Sequence, residues 1–207
     1  MTGKFITLEG GEGVGKSTQL SALAAALSAL GLSVVTTREP GGSAGAEAIR
    51  ALLMQGSEDR WSARSEALLF AAARADHVEK TIRPAIARGD WVLCDRFVDS
   101  SRAYQGGAGG LSDGDILALH RVGSEGLMPD RTLVLTLPPA ESVARAAQRD
   151  RGNADRMGSK DKTYYQKVAQ AFERFSEIDS ERIRLIPASG SADEVTARLI
   201  AALEYLL

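Results

Sequence analysis

Cysteine is nearly absent from this chain, since Cys94 is the only one among 207 residues. One cysteine cannot build a disulfide framework or a cysteine-based metal site within a single chain. The sequence also lacks an apolar run of about 20 residues, the length that a helix needs to span a bilayer. It begins without the pattern of a signal peptide. We therefore expect a cytoplasmic protein with no membrane partner.

The chain also lacks a large excess of either sign of charge, because 25 basic and 27 acidic residues leave a net charge of −2. Such a balance gives no basis for non-specific binding to nucleic acid. The composition is otherwise that of a globular protein, with 44% hydrophobic and 25% charged residues. The length suits one α/β domain, and neither a linker nor an internal repeat interrupts it. We expect a single domain over 1–207.

The most informative pattern that is present fits the phosphate-binding P-loop: Gly10-Gly11-Glu12-Gly13-Val14-Gly15-Lys16-Ser17. A predicted strand precedes it, and a predicted helix follows and ends at Gly31, which is the context that the motif requires. The glycines allow backbone N–H groups to surround a polyphosphate. Lys16 adds charge near the β- and γ-phosphates, and Ser17 offers a hydroxyl to Mg²⁺.

Glu12 is unusual within this loop, because a carboxylate in an anion-binding site should repel phosphate. Two interpretations stay open. The side chain is exposed to solvent, or it faces a second substrate and accepts a hydrogen bond from a sugar hydroxyl.

Strand and helix patterns alternate along the chain. Short apolar stretches predict strands at 4–9, 33–37, 91–95, 132–137 and 183–186. Helical patterns lie between and after them, at 17–30, 45–54, 62–88, 112–124, 140–149, 162–179 and 192–206. The alternation predicts an α/β P-loop NTPase fold, with a five-stranded, mainly parallel sheet and helices on both faces. Ligands of such sheets bind at the carboxyl ends of the strands.

Charged residues stand at those strand ends. Asp95 ends an apolar strand beside the expected P-loop, within reach of Mg²⁺ directly or through water, although it could simply cap a turn. Arg38 and Arg96 also follow strands, and a guanidinium matches phosphate oxygens. Because a P-loop binds one nucleotide, a second phosphate site favours phosphoryl transfer between nucleotides over hydrolysis.

Two further segments are rich in glycine or arginine. The segment 105–110 could be a plain flexible loop. Three arginines lie within 149–156, either in a solvated charged loop or in a mobile lid, at about 145–160, that closes over the transferred phosphoryl group.

Other P-loop classes fit less well. The GTPase motif N-K-x-D cannot occur, because Asn153 is the only asparagine and alanine follows it. No segment is similar to the L-S-G-G-Q motif of transporter-type ATPases. A non-catalytic nucleotide sensor stays open, although the strand-end arginines and the lid would then have no purpose.

Four ordered segments, spread over residues 5–106, resemble those of the thymidylate kinases. They are the P-loop with its flanks at 5–19, the segment 37–42, the helical segment 69–74, and 95–97 with 100–106. The resemblance implies ATP-dependent phosphorylation of dTMP to dTDP, on the route to dTTP, by a homodimer that uses Mg²⁺. Another pyrimidine nucleoside monophosphate kinase is the alternative within this class.

The resemblance also implies a division of the site. The donor ATP would be bound by Gly10, Gly11, Glu12, Gly13, Val14, Gly15, Lys16, Ser17 and Thr18, and the metal by Ser17 and Asp95. The acceptor dTMP would be bound by Glu12, Arg38, Glu39, Arg50, Phe70, Arg74, Arg96, Ser101, Tyr104 and Gln105.

Individual roles follow from the same resemblance. Phe70 would stack on thymine, and Arg74 would hydrogen-bond the base with help from Ser101 and Gln105. Arg38 and Arg96 would hold the acceptor phosphate. Glu12 would contact the 3′-hydroxyl, and Tyr104 would pack where a 2′-hydroxyl would sit.

Catalysis would rest on Lys16, Arg96 and one arginine of the lid. Members of this family carry their catalytic arginine either in the P-loop or in the lid, and Glu12-Gly13-Val14 leaves the P-loop without one, as in the bacterial lid-arginine type. Related lids continue Asp-Arg-x-Glu, whereas Met157 and Gly158 follow Asp155-Arg156 here. The choice among Arg149, Arg151 and Arg156 therefore stays open.

Overall fold

The computed structural model describes residues 3–57, 59–138, 141–142, 145 and 161–207. Within this part of the chain, five strands form one sheet in the order β2-β3-β1-β4-β5, and every neighbouring pair is parallel. The strands are β1 (Lys4–Gly10), β2 (Val34–Arg38), β3 (Trp91–Asp95), β4 (Arg131–Thr136) and β5 (Ile183–Pro187). The predicted fold class is confirmed.

Helices connect these strands. The described α-helices are α1 (Lys16–Ala29), α2 (Ala44–Met54), α3 (Ala63–His77), α4 (Arg83–Ala87), α5 (Val98–Ser101), α6 (Asp113–Ser124), α7 (Lys162–Ile178) and α8 (Ala192–Ala201). Side-chain oxygens of the N-cap residues start several of them; Ser191, for example, forms a capping box with Glu194 at α8. No described helix is both long and apolar enough to cross a membrane.

Two of the predicted helices differ from those in the structure. The single helix expected at 62–88 contains a π-helical turn, Val78–Ile82, between α3 and α4. The helix expected at 192–206 ends at Ala201 and is followed by a short 3₁₀ turn, Glu204–Leu206. Of the helix expected at 140–149, only 141, 142 and 145 lie within the described residues.

A plain flexible loop, one interpretation left open for 105–110, is contradicted for most of that segment. Residues Arg102–Ala108 continue α5 as a π-helical segment, and several of them are buried against α7. The glycines serve close packing: a Cβ added to Gly107 would lie 2.8 Å from the Cβ of Ala171. A glycine-rich sequence therefore forms a helix–helix contact, which local pattern alone cannot distinguish from a loop.

Apolar residues pack on both faces of the sheet. One cluster joins β1, β3 and β4 to α1 and α8, with Leu23, Leu27 and Leu199 at its centre. A second cluster joins the opposite face to the π-helical turn and α4 through Phe5, Val78 and Ile82. Because helices cover both faces of the sheet, the carboxyl ends of the strands form its open edge.

Candidate active site

One cavity of about 670 Å³ lies at the carboxyl ends of β1, β2 and β3. It brings together every residue that the sequence assigns to the acceptor: Glu12, Arg38, Glu39, Arg50, Phe70, Arg74, Arg96, Ser101, Tyr104 and Gln105. Much of the P-loop shares the same space, namely Gly13, Gly15, Lys16, Ser17 and Thr18. Gly10, Gly11 and Val14 do not line the cavity, and Val14 is instead packed in the core.

Lys16 lies over its own loop at the first position of α1. Its Nζ donates to the carbonyl oxygens of Gly11 at 2.7 Å and Gly10 at 3.2 Å. Burial, with the nearby guanidinium of Arg96, lowers the pKa of Lys16 to about 8. The ammonium group is thus shielded from water beside the loop. A bound anion there would stabilise its charged form and raise its pKa.

Asp95 and Ser17 meet at the end of β3. The Ser17 hydroxyl donates to Asp95 Oδ2 at 3.2 Å, and Asp95 Oδ1 is buried with no hydrogen-bond partner in the described chain. Mg²⁺ prefers a few hard oxygen ligands and keeps several waters. A hydroxyl beside a carboxylate with a vacant oxygen fits that requirement.

Arg96 bridges the P-loop and the segment after β3. Its backbone is in the left-handed region with φ 69°, which costs energy for a residue other than glycine, and its N–H donates to Leu8 O at 2.9 Å. The guanidinium donates to Gly10 O at 3.1 Å and stands 4.9 Å from the ring centroid of Tyr104. The turn therefore places the guanidinium of Arg96 over the end of β1.

Glu12 forms an ion pair with Arg96, and its side chain is 22% exposed. This pairing explains how a carboxylate is accommodated in the loop: Glu12 is partly exposed and is also paired with a cation. The sequence analysis named both residues but did not predict their contact, because they are 84 positions apart.

Glu9 was missed as a structural part of the site. It is fully buried near the end of β1, where it accepts hydrogen bonds from the backbone N–H of Phe97 at 2.7 Å and from the hydroxyl of Ser100. Burial and the negative charge of Asp99 raise the pKa of Glu9 to about 8. An acidic residue within an otherwise apolar strand was the available signal.

Arg74 is 3% exposed and is held from two sides. Its Nε donates to Glu39 Oε2 at 2.8 Å, and its Nη2 donates to Ser101 Oγ at 2.8 Å and to Phe97 O at 3.3 Å. Gln105, also buried, donates to Glu66 Oε1 at 2.9 Å. The groups predicted to recognise a base are therefore fixed before any ligand arrives.

Two more cations reach the cavity from β2 and α2. Arg38 is 55% exposed and donates to both carboxylate oxygens of Glu47, at 3.1 and 3.2 Å. Arg50 donates to the carbonyl of Pro40 at 2.7 Å. With Arg96, these residues give this side of the cavity a positive lining suited to a phosphate.

Other cavity residues were not predicted as site residues: Pro40, Met54, Phe97, Ser100 and Arg145. Pro40, Phe97 and Ser100 lie inside or beside the segments that the sequence analysis singled out, whereas Met54 and Arg145 carried no distinguishing pattern. The lid arginines Arg149, Arg151 and Arg156 lie outside the described residues.

Comparison with known proteins agrees with this geometry. Residues 8–199 match the sequence profile of a family described as Thymidylate kinase. The chain belongs to the thymidylate kinase family. A thymidylate kinase of Rhizorhabdus wittichii is 62% identical over 207 residues and covers the whole of both chains. One from a Bradyrhizobium species is 47% identical over 195 residues, which make up 94% of this chain and 86% of the relative.

A solved structure shares the architecture. The crystal structure of thymidylate kinase from Ehrlichia chaffeensis superposes with a TM-score of 0.78 at 30% identity, covering 98% of this chain and 99% of the other. Membership in the thymidylate kinase family makes this chain an ATP-dependent kinase that phosphorylates dTMP.

Proposed function

We propose that the cavity holds dTMP between α3 and the segment 97–105, with its phosphate facing ATP on the P-loop. The observation that carries this assignment is that all ten predicted acceptor residues line one cavity that is continuous with Lys16 and Ser17. Thymine would lie against Phe70 and Arg74, and its phosphate would lie near Arg38, Arg50 and Arg96. ATP would occupy the loop from Gly10 to Thr18.

The reaction needs no strong general base from the protein. A nucleotide monophosphate has a second pKa of ~6, so at neutral pH its phosphate is largely dianionic and already nucleophilic. The remaining work is alignment and charge neutralisation. Lys16 is placed for the donor phosphates, and Arg96 lies between the P-loop and the acceptor side, where it can contact both.

Ser17 and Asp95 would hold Mg²⁺, in keeping with the vacant Oδ1 of Asp95. The ion would supply positive charge to the β- and γ-phosphates when it is bound. Both protein groups stand at the junction of β3 and α1, beside Lys16.

Sugar recognition is assigned to Glu12 and Tyr104. Glu12 would accept a hydrogen bond from the 3′-hydroxyl, with its orientation set by the ion pair to Arg96. Tyr104 is 6% exposed and its ring packs under the Arg96 guanidinium. A ring held in this way would exclude a 2′-hydroxyl by contact and by leaving that hydroxyl without a partner.

The proposal extends to the whole chain. It treats 1–207 as one cytoplasmic nucleoside monophosphate kinase domain, and 145–160 as a lid whose arginines Arg149, Arg151 or Arg156 complete catalysis. It also includes a homodimer. Exposed apolar side chains on three neighbouring helices support a partner surface: Leu52 on α2, Leu68 on α3 and Val122 on α6.

ADP release across a panel of nucleoside monophosphates tests the assignment. We expect rapid ADP formation with dTMP, slower formation with dUMP and dCMP, and almost none without an acceptor. ADP formation that is independent of any monophosphate would contradict the two-substrate cavity. A preference for another pyrimidine would contradict the proposed placement of thymine.

A further inference from the structure

A buried hydrogen-bonded chain links Arg74 and Glu39, which line the cavity, to His77 and Thr37, which do not. The Thr37 hydroxyl lies 2.7 Å from His77 Nε2, and His77 Nδ1 lies 3.0 Å from Glu39 Oε1. The other carboxylate oxygen of Glu39 accepts from Arg74 Nε at 2.8 Å. His77 is completely buried, and neither it nor Thr37 is part of the assigned substrate site.

The fold brings this chain together from two elements. Arg74 and His77 are three residues apart on α3 and therefore share one face of the helix. Thr37 lies near the end of β2 and Glu39 directly follows the strand, where its N–H donates to Asp95 O at 2.9 Å. Gly42 permits the close approach, since a Cβ there would lie 2.4 Å from His77 Nε2.

The partners of His77 fix its tautomer. A carboxylate only accepts hydrogen bonds, so Nδ1 must carry a proton and donate to Glu39. Nε2, on the other side of the ring, lies against the Thr37 hydroxyl.

The consequence for Arg74 follows from counting its donors. Nε is committed to Glu39, and Nη2 is committed to Ser101 and Phe97. Within the described residues, Nη1 alone has no hydrogen-bond partner. A guanidinium is rigid and planar, so fixing two nitrogens also fixes the direction of the third.

We propose that His77 is a positioning residue for dTMP, which holds Glu39 so that Arg74 presents Nη1 to the acceptor base. This inference rests on the proposed role of Arg74 in binding dTMP. His77 touches neither substrate in this scheme. Its loss would therefore impair acceptor binding while leaving ATP binding and the turnover rate at saturation almost unchanged.

The tautomer can be observed in the unmodified enzyme by long-range ¹H–¹⁵N NMR of its two histidines. His120 is an internal comparison, because its Nε2 donates to Leu127 O at 2.7 Å and must carry the proton. We expect a proton on Nδ1 of His77, facing Glu39, and on Nε2 of His120, facing Leu127 O. A His77 ring protonated at Nε2 alone would leave no donor for Glu39 and would overturn the proposal.

The kinetics of matched variants test the function of this hydrogen-bonded chain. Thr37→Val and His77→Leu should raise the KM for dTMP, by several-fold and roughly tenfold respectively, with the KM for ATP and kcat within about twofold of wild type. His77→Asn, which retains a donor near the Nδ1 position, should recover part of the loss. Thr196→Val is the control, because it removes hydrogen bonds to Gln19 Oε1 and Ala192 O, which have no part in this hydrogen-bonded chain.

The outcomes separate this inference from the assignment on which it rests. If Arg74→Ala weakens dTMP binding but Thr37→Val and His77→Leu do not, the positioning role is wrong and the base site stands. If Arg74→Ala itself has no effect on dTMP, the base site is wrong. Should His77→Leu fail to fold, Thr37→Val and the ring tautomers still decide the matter.

Discussion

Single residues in this site are held by contacts that cross between elements, and Arg74 illustrates the point. It is almost completely buried, yet it lines the cavity and uses two of its three nitrogens on protein partners. Its position on a helical pattern and its resemblance to a family motif predicted a binding role. The identity of its partners could not be predicted, because Glu39, Phe97 and Ser101 are separated from it by 35, 23 and 27 positions.

Arg74→Ala should weaken dTMP binding far more than ATP binding. Loss of a buried charged hydrogen bond costs about 1.5–3 kcal/mol, or roughly 10- to 150-fold in the dissociation constant. Calorimetric titration of each nucleotide measures this difference. Arg83→Ala removes an exposed arginine paired with Glu125 and should change neither affinity. An equal loss of affinity for both nucleotides would make Arg74 a structural residue.

Tyr104 should enforce the deoxyribose sugar through the space that its ring occupies. Tyr104→Ala should narrow the gap in kcat/KM between dTMP and its ribose counterpart, whereas Tyr104→Phe retains the ring and should retain most of the discrimination. Steady-state kinetics with both acceptors provide the test. If the alanine variant is slower but equally selective, the ring merely packs against Arg96.

At the scale of elements, the strand ends that the sequence marked as important do meet, but the segment after β3 differs from its prediction. Alternating apolar stretches were sufficient to locate the strands of the sheet, because buried parallel strands have a strong local signal. The glycines of 105–110 left a plain flexible loop open as an interpretation, whereas in the structure Gly107 lets the π-helical segment Arg102–Ala108 pack on α7. That choice depends on the facing helix, which local sequence does not contain.

Glu9 connects β1 to the segment that follows β3. The ionisation of Glu9 makes the stability of the fold depend on pH. Its pKa is raised from 4.5 to about 8 in the fold, chiefly by burial. The unfolded chain therefore loses the proton at lower pH than the folded chain does, and the contribution of Glu9 to stability falls as pH rises from about 4.5 to 8. Glu9→Gln is neutral throughout and lacks this dependence.

Urea unfolding of the wild type and Glu9→Gln at pH 5, 6.5 and 8 measures the effect. The free energy of unfolding of the variant, relative to wild type, should rise across this range by up to a few kcal/mol. Glu173→Gln, at an exposed position of α7, should show no such trend. A difference between Glu9→Gln and wild type that stays constant with pH would show that Glu9 is ionised in the fold throughout.

At the scale of the whole molecule, the buried carboxylate of Asp99 anchors the segment 97–105 to the sheet. Asp99 accepts hydrogen bonds from Arg102 at 2.8 Å, from Thr132 of β4 at 3.0 Å, and from Arg182 before β5 at 2.6 Å. The hydrogen bonds and positive charges of Arg182 and Arg102 hold the pKa of Asp99 below its usual value despite its burial. The rigid sheet thereby fixes the segment that carries Ser101, Tyr104 and Gln105.

The central claim is that one cavity holds the acceptor beside the P-loop. A crystal structure of the enzyme with dTMP and a non-hydrolysable ATP analogue tests it most directly. We predict thymine against Phe70 with Arg74 Nη1 within hydrogen-bond distance of the base, the dTMP phosphate beside Arg96, and the donor phosphates on Lys16. Density for dTMP anywhere other than this cavity, or for its base at the P-loop, would contradict the account.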